Sequence, residues 1–191
     1  MTEAVDSQPW RRERTKTLSE SADAAAYLEQ RIARLEAIEE IKRLKYRYWR
    51  ACDSKDPEAF RDCFVTSAAD LDYGVLGIFH DRDALVDVYA GLALRRENGR
   101  WLYNDIHHGI HPDIEVQPDG SATGRWTFWF MRVDLLDNIV VQQSMEYDDR
   151  YVMENGRWLI QKSHVRALTG VAVPLAADAV VAPGPPERIA R

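Results

Sequence analysis

The sequence predicts an α+β domain in which helices come first and an antiparallel sheet follows. Two changes of pattern carry that expectation. From Leu28 to about Asp53, apolar residues recur every three or four positions, as on a helix with one buried stripe. After Arg100 the chain becomes long runs of strand-type residues separated by short turns. Long strands joined by short turns pair antiparallel, and helices segregated before a sheet make an α+β arrangement.

The stripe of the first helix is Leu28, Ile32, Leu35, Ile38, Ile41, Leu44 and Tyr48, with Glu39 and Arg43 paired on its surface in the favourable order. Asp56-Pro57-Glu58 then starts a short second helix to about Phe64: a capping Asp, a proline at the first helical position and an acid near the positive end. Brief strands are expected at 71–73 and 77–79, and a third helix from Arg82 through Leu92. Four strands follow, at 101–116, 122–135, 140–153 and 158–168. Their turns are Gln117-Pro118-Asp119-Gly120, Asp137-Asn138 and Asn155-Gly156. Residues 1–20 are polar and aperiodic and read as a flexible tail, and 21–170 as a single domain. The Ala/Pro-rich segment 171–191 is either disordered or a flap over a neighbouring surface.

Bulk properties exclude several classes. The 191 residues suffice for one well-buried core. With 31 acidic against 25 basic residues the formal charge is −6, which gives no electrostatic reason to expect nucleic acid. The basic cluster Arg11, Arg12, Arg14 and Lys16 is interrupted by Glu13 and reads as solvated. Two cysteines, Cys52 and Cys63, make no disulfide framework. No apolar leader or membrane-length apolar run is present, so the expectation is a reduced, cytoplasmic protein.

Alternation along a strand separates the two faces of a sheet. In 122–135 one face carries Trp126, Phe128 and Phe130, the other Thr127, Trp129 and Met131. Parity gives Trp158, Ile160, Lys162, His164 and Arg166 a common face. In 140–153 it separates Gln142, Ser144 and Glu146 from Val141, Met145, Tyr147 and Tyr151, with Glu146 expected roughly across from Lys162. Polar groups sharing a face with Trp and Phe fit an enclosed pocket. The competing reading is a plain solvent face.

A histidine cluster and one aspartate invite chemistry. His107, His108 and His111 lie close together, but on a strand His107 and His111 are separated by about 13 Å of rise, too far to share one zinc. Asp53 ends the first helix in the register of Tyr46 and Trp49, facing the buried stripe. A carboxylate there needs a partner unless it lies in water. An imidazole would serve: the carboxylate accepts Nδ1–H, fixes the tautomer and leaves Nε2 as a general base.

In the helix IEEIKRLKYRYWRACDSKDPEAFRDCF, the strand IHHGIHPDIEV and the hairpin YDDRYVMENGRWLIQK, the chain resembles the SnoaL-like branch of the nuclear-transport-factor-2-like superfamily. The resemblance covers about residues 28 to 168 and includes scytalone dehydratase, bile-acid 7α-dehydratase and γ-hexachlorocyclohexane dehydrochlorinase. It implies a cone-shaped, cystatin-like α+β barrel, a curved antiparallel sheet wrapped round the helices to enclose one pocket. The relatives' catalytic Asp and His fall on Asp53 and His107, their polar residue five positions before the Asp on Tyr48, and a basic residue of the closing hairpin on Lys162. His111 stands where relatives carry Asn.

The resemblance therefore implies a cofactor-free, metal-free lyase of the dehydratase type, or an isomerase, acting on a hydrophobic oxygenated ring such as a steroid or polyketide. His107 is the expected base, Asp53 its orienter and Tyr48 a donor to the departing or developing oxygen. Lys162 stabilises charge there, Trp126 and Phe128 form an apolar wall, and His111 and Glu146 complete the substrate contacts. Hydrolase or cyclase chemistry in the same pocket stays open, as does a non-catalytic ligand-binding or oligomerising subunit. Homo-oligomerisation is expected, trimer ahead of dimer, with no membrane partner.

Overall fold

The computed structural model describes the backbone of residues 9–181 and the side chains of residues 21–181. Residues 1–8 of the expected N-terminal tail and 182–191 of the expected C-terminal flap lie outside them. The first helix, α1 (Pro9–Asp53), starts well inside the segment read as tail. The chain divides into two units between Ala37 and Ile38. In the first, the stripe residues Leu28, Ile32 and Leu35 are exposed. In the second, Ile41, Leu44 and Tyr48 are buried.

Helix α1 stops because Lys55 turns into the left-handed region, at φ 57°. The amides of Lys55 and Asp56 return to the carbonyls of Cys52 and Ala51 at 3.2 and 2.9 Å. Asp56 then caps α2 (Pro57–Arg61) through the Ala59 amide, as its sequence predicts. Strands β1 (Asp70–Asp72) and β2 (Ile78–Phe79) precede α3 (Arg82–Ala93). From α3 the Tyr89 hydroxyl lies 3.1 Å from both the Ala51 and Cys52 carbonyls, adding a shared second donor to the end of α1.

A small hairpin, β3 (Arg96–Glu97) with β4 (Arg100–Trp101), takes Trp101 out of the long strand predicted to begin there. The long strands are β5 (Tyr103–Val116), β6 (Ala122–Asp134), β7 (Ile139–Glu154) and β8 (Arg157–Pro174). β8 outruns its predicted end because Val171 to Pro174 pair with Gln142 to Ile139.

The six-stranded sheet has the order β2-β1-β8-β7-β6-β5, and its two edge strands do not meet. It is a curved, unclosed, mixed sheet rather than an antiparallel one, because β1 pairs parallel with β8. No tight turn joins those two strands, so hairpin geometry does not fix their direction.

The second unit's part of α1 packs on one face of the sheet. A Cβ on Gly109 of β5 would lie 1.9 Å from Trp49 of α1, so only glycine lets helix and strand approach this closely. Trp49 also meets Trp126 edge-on, at 5.2 Å between ring centroids. No helix among the described residues is long and apolar enough to cross a membrane.

Candidate active site

The seam between the end of α1 and the inner face of β5 joins the two residues singled out in the sequence. His107 Nδ1 lies 2.7 Å from Asp53 Oδ1. The His107 backbone amide donates to the same carboxylate at 3.1 and 3.4 Å. Held from two sides, the carboxylate accepts Nδ1–H and leaves the lone pair on Nε2. The imidazole lies between Phe128, nearly parallel at 6.0 Å, and Phe130, tilted at 5.1 Å.

A group of phenols lies beside the pair. The Tyr48 hydroxyl is 2.9 Å from that of Tyr73 and 3.4 Å from that of Tyr147. Burial, and then the nearby Tyr147, push the Tyr48 pKa well above the ordinary phenol range. Burial raises Tyr73 and Tyr147 as well. All three are therefore neutral near pH 7 and able to donate a hydrogen bond. Beneath them, Lys45 Nζ sits 3.6 Å from the Tyr147 ring centroid and 2.8 Å from Asp149, with both charged side chains fully buried. The Tyr151 hydroxyl donates to Asp149 at 2.7 Å and accepts from Trp126 Nε1 at 2.8 Å.

The three phenols border a cavity of about 200 Å³, with Tyr48, Tyr73 and Tyr147 in its wall together with His107, Phe128 and Phe130. Of the residues expected at the site, Asp53, His107, Tyr48 and Phe128 come together here. Trp126 does not reach the cavity wall, because it is packed against Trp49 and bonded to Tyr151.

Lys162 and Glu146 are on the other face of the sheet. A bulge between Arg150 and Tyr151 leaves Gln161 unpaired and reverses the alternation of β8, so Ile160 points inward and Lys162 outward. The ladder places Arg150 opposite Lys162 and Arg166 opposite Glu146. Lys162 bonds Asp148 at 2.8 Å and Arg166 pairs with Glu146, which corrects the expected Glu146–Lys162 pairing. His111 is exposed at the β5 bulge, with φ 52°. Among the described residues no group of His, Cys, Asp and Glu has the geometry of a metal site.

The profile of the SnoaL-like domain matches residues 33–164. The chain belongs to the SnoaL-like domain family. Solved structures extend the likeness across most of this SnoaL-like domain. A putative scytalone dehydratase of Novosphingobium aromaticivorans DSM 12444 superposes with a TM-score of 0.63 at 19% identity, over 82% of this chain and 97% of the other. A hexachlorocyclohexane dehydrochlorinase of Novosphingobium barchaimii LL02 gives 0.63 at 17%, over 78% and 97%. ActVI-ORFA of Streptomyces coelicolor gives 0.55 at 17%, over 67% and 95%. At these identities the likeness is one of fold, the α+β cone of the family.

Residue-by-residue reading missed Tyr73, Tyr147, Asp105, Arg132 and Gln143 in the cavity wall of this SnoaL-like domain. Tyr147 had a usable signal: it shares an alternation class with Met145, opposite Trp126 and Phe128 in the ladder. Tyr73 had none, since the parallel pairing of β1 with β8 brings it in.

Proposed function

We propose that this protein is a lyase of the dehydratase type, or an isomerase, working by general-base removal of a proton from carbon. The observation that carries the reading is the Asp53–His107 pair opening on an aromatic cavity with the Tyr48–Tyr73 pair beside it. In elimination, His107 Nε2 takes a proton from carbon and the C–H electron pair becomes the new double bond. The C–O bond beyond it breaks, and the departing hydroxide takes a proton from Tyr48 or Tyr73 and leaves as water. The phenol then recovers its proton from the imidazolium. In isomerisation the imidazolium returns its proton to a different carbon. Asp53 holds the ring in the reactive tautomer and stabilises the imidazolium.

The dehydratase and dehydrochlorinase among the structural relatives support this reaction class. The cavity, at about 200 Å³, is smaller than the roughly 300–1,000 Å³ typical of drug-sized ligands, which favours substrates of one or two rings over a four-ring steroid.

A panel of β-hydroxy ketones on one- and two-ring scaffolds tests the proposal, with the conjugated enone followed by its absorbance. His107→Ala is expected to lower turnover by about 10²- to 10⁴-fold while leaving the circular dichroism and melting curve unchanged. Undiminished turnover in a folded His107→Ala protein would remove His107 from the chemistry. Tight binding of panel members without turnover would favour a ligand-binding module.

A further inference from the structure

One step along the sheet from the dyad lies a second polar centre. On the paired inner faces of β5 and β6, His107 stands opposite Phe130 and Asp105 opposite Arg132. Arg132 Nε and Nη2 donate to the two oxygens of Asp105 at 2.7 and 3.0 Å. Its guanidinium lies over the Tyr103 ring at 4.8 Å and near Phe130 at 5.4 Å. Both members of the pair are in the cavity wall, and the Arg132 side chain keeps 28% exposure. The two-point bond occupies one edge of the guanidinium. Of its five N–H groups, both on Nη1 and the second on Nη2 remain for another acceptor.

A buried structural ion pair is the competing account, and two observations weigh against it. The guanidinium is not sealed on all sides, as its exposure shows. Asp105 also does not balance the positive charge around it. Buried Lys55 is within electrostatic reach of both Asp105 and Arg132, and Arg95 Nη1 donates to the Tyr103 hydroxyl at 3.3 Å. Buried Asp134, two residues along β6, is the other acid acting on Arg132, so three cations gather around two carboxylates at this end.

Along β6 the inner-face residues run Trp126, Phe128, Phe130, Arg132, at about 7 Å per step. Tyr147, whose hydroxyl contacts Tyr48, is opposite Trp126. His107 is opposite Phe130, between the phenol end and the Arg132 end. The cavity is thus polar at both ends and aromatic in the middle.

We propose that Arg132, positioned by Asp105, anchors an acidic oxygen of the substrate, a carboxylate or phenolate, at the end of the cavity away from Tyr48. The assignment rests on the elimination or isomerisation reading for its second end, where the leaving or enolising oxygen meets the phenols. The substrate is then a one- or two-ring acid with oxygens at opposite ends.

Titration calorimetry on the full chain with 2-naphthoate, and with the neutral 2-naphthamide, tests the anchor without turnover. Wild-type protein is expected to bind the acid at least about 10-fold more tightly than the amide, as a charge-assisted hydrogen bond implies. Arg132→Gln should weaken the acid roughly 10- to 100-fold and leave the amide unchanged. Arg132→Lys, which keeps the charge, should recover part of the loss and stands in if the Gln variant does not fold. His107→Ala should retain the preference for acid, so failure of the anchor and failure of the catalytic reading give different results. Equal affinity for both probes, no binding of either at millimolar concentration, or equal losses for both in a folded Arg132 variant would overturn the proposal.

Discussion

Asp148 and Asp149 are neighbours on β7, and each holds a lysine at 2.8 Å, Lys162 and Lys45 respectively. The distances are the same and the environments are opposite. Asp149 and Lys45 point inward and are fully buried, while Asp148 and Lys162 point outward with side chains 58% and 30% exposed. The contrast teaches that strand alternation, more than the chemistry of the pair, decides what a salt bridge is worth. In water the attraction is screened and each long side chain loses freedom, so the outer pair contributes little. Inside, where water does not reach, each charge depends on its partner, with only the Tyr151 hydroxyl on Asp149 and the aromatic rings around Lys45 to help offset lost hydration. Burial accordingly lowers the Lys45 pKa, and Asp149 opposes the shift.

The largest expected effect follows from breaking the inner pair. Asp149→Ala removes the acceptor of both the Lys45 ammonium and the Tyr151 hydroxyl. A loss of about 3–5 kcal/mol is expected, the usual cost of stranding one member of a buried pair. Urea unfolding followed by tryptophan fluorescence measures it. A loss below about 1 kcal/mol would mean that water reaches Lys45 and that the two faces differ less than their exposures imply.

The same alternation explains what could be read from the sequence. Local rules were legible: the stripe from Ile41 to Tyr48, the Asp56-Pro57 helix start, and the Asn155-Gly156 turn that begins the β7–β8 ladder at Glu154 and Arg157. The Asp53–His107 contact was legible through the family resemblance, which sets the relatives' Asp and His on these two positions; the helix-end register alone left a solvated Asp53 equally open. Bulges were not. The extra residue at Gln161 turned Lys162 and Arg166 outward, and the left-handed His111 ended the regular alternation of β5. Nor does periodicity say whether anything covers a stripe, as exposed Leu28, Ile32 and Leu35 show. Arg132 escaped because its role depends on pairing with Asp105 across two strands.

A smaller effect of burial is read by pH. Cys63 is buried, and its thiol donates to the Ala59 carbonyl at 3.3 Å. Burial raises its pKa from 9.0 to about 11. In the unfolded chain the thiol ionises from about pH 9, while the folded protein keeps its proton. The folded state therefore binds more protons between these values, and its stability, intact below pH 9, falls as pH rises toward 11. The limit for this group is about 2–3 kcal/mol, at roughly 1.4 kcal/mol per unit. Melting temperatures from pH 8 to 11 should decline, and Cys63→Ala should flatten the decline. An unchanged slope in that variant would assign the loss to other groups.

The smallest effect is expected at Lys162, and it decides between two accounts of that residue. Resemblance to the family's catalytic basic residue makes Lys162 a stabiliser of negative charge on the substrate. The ladder instead turns it outward by one bulged residue and bonds it to Asp148. If alternation governs, Lys162→Ala costs no more than about 1 kcal/mol, as exposed pairs do, and leaves the turnover that His107 supports unchanged. If the bulge moves beyond Lys162 in the working protein, Lys162 joins Ile160 on the inner face, and the same variant loses turnover while its stability barely moves. Stability and turnover measured on one preparation of Lys162→Ala separate these outcomes, since a residue on the outer face has no route to the reacting oxygen that leaves the fold intact.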